Sequence, residues 1–168
     1  MKIIIRDEQL EDIPAIATLT QAAFQNVDHS SHTEQFIVNS LRKHGQLTIS
    51  LVAIENNQLV GHVAISPVTI SSGETGWYGL GPISVLPAKQ GQGVGTLLIQ
   101  AALDRLQNLG AQGCVVLGDP QYYGRFGFKA FSELYLKGVP SEYFQVIAFN
   151  GSIPHGEAVY HEAFNATQ

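Results

Sequence analysis

The chain of 168 residues has a single cysteine, Cys114, so no disulfide can form within it. Charge is scarce as well: charged residues are 14% of the total, and 14 Asp and Glu outnumber 9 Lys and Arg. No run of basic residues appears, which excludes an electrostatic groove for nucleic acid. No apolar run approaches the ~20 residues that span a bilayer. The apolar stretch Ile3-Ile4-Ile5 is too short for a signal peptide. No repeat, low-complexity stretch or linker divides the sequence. These absences leave a soluble cytoplasmic protein with one domain over residues 1–168, and neither membrane nor nucleic acid as partner. Apolar residues make up 45%, enough to bury a core. The net charge of −5 suits an amine substrate and suits solubility equally well. Cys114 opens the apolar run Cys114-Val115-Val116-Leu117 and reads as a buried strand residue rather than a nucleophile.

Patterning gives the element order. Lys2 to Arg6 reads as a strand, and Ile13, Ile16, Leu19 and Ala23 recur at helical spacing, with Pro14 tolerable only in the first turn. A second helix is expected from Thr33 to Lys43. Strands over Leu47–Ile54 and Leu59–Ser66 flank Asn56-Asn57, which can adopt the positive φ of a tight hairpin. Trp77–Val85 reads as a further strand. Beyond a glycine-rich turn, Val94, Leu97, Leu98, Ala101, Leu106 and Leu109 form an amphipathic stripe that Gly110 closes. Then come a strand over Gly113–Leu117, a polar-aromatic segment over Tyr122–Phe128, and three short strands near Phe131–Leu136, Phe144–Phe149 and Glu157–Phe164. Hairpins combined with a strand–helix–strand crossover predict an α/β (α+β) fold. Its central sheet is mixed and mostly antiparallel, with about seven strands flanked by helices on both faces.

The strongest motif is Val85-Leu86-Pro87-Ala88-Lys89-Gln90-Gly91-Gln92-Gly93-Val94-Gly95-Thr96, set between a strand and a helix. Glycines there allow a ligand to approach the backbone, and the first amides of a helix have no partner within it. Amides and helix dipole together favour an anion such as phosphate. A P-loop would need Lys and Ser/Thr after the last glycine, and a dinucleotide fingerprint would need glycine at 96 and an acidic residue about 20 positions on; neither is present. A plain helix-capping turn would carry three glycines at ~1 kcal/mol each relative to Ala without purpose.

Gln90, Gly93 and Gly95 form Gln-x-x-Gly-x-Gly, which resembles the pyrophosphate-binding motif of the GNAT superfamily of N-acetyltransferases. The strand Gly79-Leu80-Gly81-Pro82-Ile83-Ser84-Val85 followed by Pro87 is similar to that family too. Together with Tyr122–Phe128 and the closing Ala158-Val159-Tyr160 and Ala163-Phe164, it resembles a YhbS-like bacterial branch of predicted acetyltransferases. The resemblance implies the acyl-CoA N-acyltransferase fold, with acetyl-CoA as co-substrate and no metal. It implies that Ile83, Ser84 and Val85 meet the pantetheine arm as an added strand would. Gln90, Gly91, Gln92, Gly93, Val94, Gly95 and Thr96 would hold the pyrophosphate. The partner would be a small-molecule or protein amine, and a homodimer is compatible with it.

In this family a tyrosine often precedes a Gly-Phe pair by four residues, and Tyr123 does so here. A phenol with a pKa near ~10 suits a proton donor to a departing thiolate of similar basicity. An aromatic core cluster with Phe126 and Phe128 is the other reading of the same segment. For the base, the resemblance points to Glu34, at the start of the second helix. Ser31-His32-Thr33-Glu34 also fits a capping box, in which Glu34 would serve a backbone amide. Asp119, at a strand end, is a second candidate, and a water-relayed path a third. The histidines lack ligand spacing for zinc and read as surface or core residues. Trp77 and Tyr78 could line an acceptor pocket or simply pack. A non-catalytic acyl-CoA sensor would keep the glycine turn and need no tyrosine, and a nucleotide-binding fold would bind without the pantetheine arm.

Overall fold

A computed structural model describes residues 2–168. Eight strands form the sheet: β1 (Ile3–Asp7), β2 (Ile49–Glu55), β3 (Gln58–Ile70), β4 (Trp77–Val85), β5 (Gly113–Leu117), β6 (Leu134–Tyr135), β7 (Phe144–Ala148) and β8 (Gly156–Tyr160). The helices are α1 (Ile13–Phe24), α2 (Glu34–Lys43), α3 (Val94–Asn108) and the single turn α4 (Pro120–Tyr123). The strand order is β1-β2-β3-β4-β5-β7, with β8 beside β3 and β6 beside β8. Most pairs are antiparallel; β4–β5 and β6–β8 are parallel. The expected mixed sheet is present, with eight strands where about seven were read.

The chain divides into two compact units that share β3, β4 and α3. The first comprises, of the described residues, 2–65, 81–102 and 162–168. Asn56 and Asn57, at φ 52° and 62°, turn β2 into β3 as their side chains permit. Alternation along β3 then sorts its two faces. Ala64 and Val52 meet Ile16 of α1 and Val38 of α2. A side chain at Gly61, on the opposite face, would lie 2.8 Å from Val94 and 2.9 Å from Leu98, so its absence lets the start of α3 rest on the strand. Ile37 and Leu41 extend the α2 contact to Ala163, Leu47 and Phe164. Each fully buried aliphatic side chain of this kind contributes ~1.5–3 kcal/mol.

A polar chain fastens α2 to the sheet within this unit. Arg42 donates from Nε and Nη2 to Glu8 (2.8 and 2.7 Å), and the Ser50 hydroxyl donates to Glu8 (2.5 Å) while lying 2.8 Å from His62 Nε2. His62 is wholly buried, and burial lowers its pKa to about 4 despite the attraction of Glu8. Because Ser50 spends its proton on Glu8, the ring is a neutral Nε2–H donor. His29 and His32 are exposed, as a loop position predicts.

The second unit comprises residues 66–80 and 103–161. Its core gathers Val68, Ile70, Trp77, Val115, Leu134, Phe144, Val146 and Ala158. Trp77 is therefore a packing residue. Cys114 is fully buried in β5, and burial pushes its thiol pKa up, which removes thiolate chemistry.

Some boundaries differ from the sequence expectation. β3 runs to Ile70 because Gln58–Ile65 pair β2, with Val60 skipped at a bulge, while Val68–Ile70 pair β8, a partner distant in sequence. The last predicted strand stops at Tyr160, and Glu162–Asn165 forms a short 3-10 turn that brings Ala163 to α2. Leu97 and Leu109 of the α3 stripe are exposed at 41% and 59%; Val94, Leu98, Ile99, Ala102, Leu103 and Leu106 are the buried ones. Gly110, at φ 80°, closes that helix as expected.

Candidate active site

The glycine turn lies between β4 and α3, in the first unit. β4 is nine residues long but pairs β5 only through Trp77, Tyr78 and Gly79. Ile83 and Val85 are half-buried and Ser84 is buried, with no hydrogen-bond partner for its hydroxyl among the described residues. Leu86 N–H then donates to Val60 O (2.9 Å), and a 3-10 turn follows over Pro87–Lys89. Gly91 and Gly93 take φ values of 76° and 89°, and nothing lies within 4 Å of where a side chain would start on either. The requirement for glycine there is thus conformational, since an L side chain strains this region and no neighbour crowds it.

Side chains fold back to hold this loop. Gln90 Nε2 donates to Val85 O (3.1 Å) and Gln92 Nε2 to Ala88 O (3.3 Å). Leu97 N–H to Gly93 O (3.1 Å) opens the helical ladder. Val94, Gly95 and Thr96 therefore occupy the first turn of α3, where a helix presents amides and the positive end of its dipole. The sequence motif is reproduced residue by residue as a strand, a positive-φ loop and a helix start.

Glu34 is the first residue of α2, also in the first unit, and is half-buried. The expected capping box does not form. Thr33 is the N-cap without a side-chain capping bond, its hydroxyl meeting that of Ser31 instead, and the Ser30 hydroxyl reaches the two Glu34 oxygens at 2.7 and 2.8 Å. His32, at φ 60°, redirects the loop, and its N–H donates to Ser30 Oγ (2.8 Å). Flanking residues His32 and Gln35 line a cleft of about 450 Å³ with Thr18, Gln21, Phe24 and Gln25. Gln35 Oε1 is buried there and lacks a partner among the described residues.

Tyr123 belongs to the second unit. It ends α4, which Asp119 caps by accepting from Gln121 N–H (2.9 Å). That use gives the exposed Asp119 carboxylate a structural role. Tyr123 is 9% exposed, and its ring meets Tyr122 and Phe128 edge-on at 5.1 and 6.0 Å. It also lies directly on Gly118, where any added Cβ would collide with ring carbon Cε2. Burial, with smaller contributions from Tyr122 and Cys114, pushes its pKa up to about 12. The phenol is thus more firmly protonated than the ordinary value suggests, because its anion would sit in apolar surroundings. Phe128 belongs to the core, as the packing reading of the segment expects, while Tyr123 is at its margin. Gly61, Gly118 and Glu55, which pairs with Lys89, escaped the sequence reading; their roles depend on contacts across the fold.

Among the described residues, no group of three or more His, Cys, Asp or Glu could hold a metal ion, and no helix is long and apolar enough to cross a membrane.

Comparison with known proteins places residues 13–128 in a match to the Acetyltransferase (GNAT) family. The uncharacterized N-acetyltransferase YhbS of Escherichia coli (strain K12) is 37% identical over 97% of this chain and 99% of its own. A GNAT family acetyltransferase from Brucella melitensis, solved in complex with acetyl-CoA, superposes with a TM-score of 0.87 at 48% identity, covering 97% of this chain and 98% of that one. The YhbS structure from Escherichia coli in complex with CoA gives a TM-score of 0.89 at 34% identity, covering all of this chain and 94% of that one.

Proposed function

Since the chain belongs to the GNAT family of acetyltransferases, we propose that it moves the acetyl group of acetyl-CoA to a primary amine by direct attack in a ternary complex. One observation carries this reading: Gly91 and Gly93 hold positive φ in open space at the entrance to α3, as a backbone cradle for diphosphate requires. Coenzyme-bound relatives at 48% and 34% identity support acetyl-CoA as the donor. Ile83 and Val85, beyond the β4–β5 ladder, offer backbone groups to the pantetheine arm, and the buried Ser84 sets their alternation. Gln90 and Gln92 brace the loop, while amides from Gly91 through Thr96 receive the pyrophosphate.

The amine nitrogen attacks the thioester carbonyl, and a backbone N–H near Val85 stabilises the oxyanion that forms. Collapse breaks the carbon–sulfur bond and releases a thiolate. Tyr123 is the donor to that sulfur. With a pKa pushed up to about 12, its proton is present throughout the working range, and it acts first as a hydrogen-bond donor to the developing charge. Glu34 is the proposed base, because its neighbours line the α1–α2 cleft and its carboxylate, though it accepts the Ser30 hydroxyl, is not tied to a backbone amide by a helix cap. The acceptor is a small-molecule or protein amine, and the enzyme works in the cytoplasm.

The test is release of free coenzyme thiol from the full chain and acetyl-CoA on addition of a panel of primary amines. Amine-dependent release is the expected result. Coenzyme binding without release on any amine would instead indicate a non-catalytic acyl-CoA sensor.

A further inference from the structure

The glycine turn from Leu86 to Thr96 carries one cation, Lys89, and that cation is committed elsewhere. Its Nζ lies 2.7 Å from Oε1 of Glu55, a carboxylate only 8% exposed at the end of β2. Glu55 is itself fixed, because Asn56 and Asn57 turn the chain sharply after it and Gln58 pairs it in the ladder. Around Lys89 three more ties converge: Leu86 N–H to Val60 O, Lys89 N–H to Leu86 O (2.8 Å), and Gln90 Nε2 to Val85 O. Everything before Gly91 is thereby anchored to the β2–β3 hairpin, and the two positive-φ glycines begin where the anchoring ends.

Resting on the coenzyme reading above, we propose that Glu55 is a positioning residue for the turn. Its carboxylate holds Lys89 as an anchor and away from the coenzyme phosphates, so that backbone amides alone receive them. A P-loop solves the same problem differently, sending a lysine to the phosphate. Here the paired charges sum to zero. The pair contributes order to the loop, whose fixation would otherwise cost conformational entropy on binding.

Calorimetric titration of the full chain with CoA at several salt concentrations tests this. Lys89→Met and Glu55→Gln should each weaken binding by roughly three- to tenfold, and the double variant should bind no worse than either single. The salt slope should be the same for wild type and Lys89→Met, and Lys89→Arg should keep wild-type affinity. In kinetics, KM for acetyl-CoA should rise while kcat stays constant. Without coenzyme, amide exchange over residues 89–95 should quicken in both single variants while β2 and β3 stay protected. Tighter binding by Glu55→Gln, or a shallower salt slope for Lys89→Met, would mean that Lys89 touches phosphate and would overturn the proposal. So would a loss of thermal stability with unaltered CoA affinity, the mark of a merely structural pair. Failure of the wild-type chain to bind CoA would reject the coenzyme reading itself, a result distinct from all of these.

Discussion

The glycine turn and the surroundings of Tyr123 are built from different materials. At Gly91 and Gly93 the groups proposed to receive the coenzyme are main-chain amides, and what fixes them is φ, with open space where side chains would be. At Tyr123 the group is a side chain, and what fixes it is crowding: Tyr122 and Phe128 against its faces and edges, and Gly118 beneath it. A backbone site tolerates change in its neighbours and fails when its torsions change. A packed side-chain site fails when a neighbour grows by one methyl group.

The difference is broken most severely at the side chain itself. Tyr123→Phe keeps the ring and its packing and removes only the hydroxyl proposed to donate the proton. We expect kcat to fall by roughly a hundredfold or more, within the range of general acid contributions, while CoA affinity is retained. A variant with wild-type kcat would take Tyr123 out of the mechanism. On the backbone side, Gly93→Ala leaves room for the methyl group but strains a φ of 89°. That strain is worth about 1–2 kcal/mol, so CoA affinity measured by titration should drop about tenfold with kcat little changed.

These two sites differed in legibility for the same reason. Glycines at 91 and 93 announce themselves, because few other reasons exist for three glycines at the mouth of a helix, and rejecting the rival phosphate motifs needs only spacing. The register of Tyr123 to Gly127-Phe128 was legible through family resemblance, but its burial was not. That depends on Gly118, which reads as an ordinary strand-end glycine, and on β5 packing. Glu34 shows the limit most clearly. Four local residues spell a capping box, yet a positive φ at His32 and the Ser30 hydroxyl claim the carboxylate first. Likewise β3 outran its expected end because β8, nearly ninety positions away, supplies a partner. Local patterns predicted elements well; partners across the chain decided where they stop and which apolar residues they bury.

A smaller effect is expected from Gly118→Ala, which leaves Tyr123 in place chemically and moves it physically. The added methyl must displace the ring, and overpacking of this kind costs about 1–3 kcal/mol. Thermal unfolding should report that loss, and kcat should fall by roughly fivefold, since a displaced donor loses alignment before it loses contact. The same substitution should leave CoA affinity alone, which separates the two regions from the opposite direction to Gly93→Ala.

The smallest effect on the reaction is expected from alkaline pH, and here the sign follows from burial. The Tyr123 pKa is raised from an ordinary 10 to about 12, so between those values the unfolded chain has lost this proton and the folded chain has not. Its contribution to stability is therefore complete below pH 10 and is lost as pH rises through 12, by about 2–3 kcal/mol in all. Over the range in which an acetyltransferase assay is run, Tyr123 stays protonated, and kcat should show no descending limb from it below about pH 10. Ultraviolet difference titration of wild type against Tyr123→Phe measures this directly, with the tyrosinate signal of that residue emerging above pH 11. A signal already half complete at pH 10 would mean that the phenol is solvated rather than enclosed. Proton donation would then rest on ordinary acidity, and the contrast between an open backbone site and a packed side-chain site would lose its physical basis.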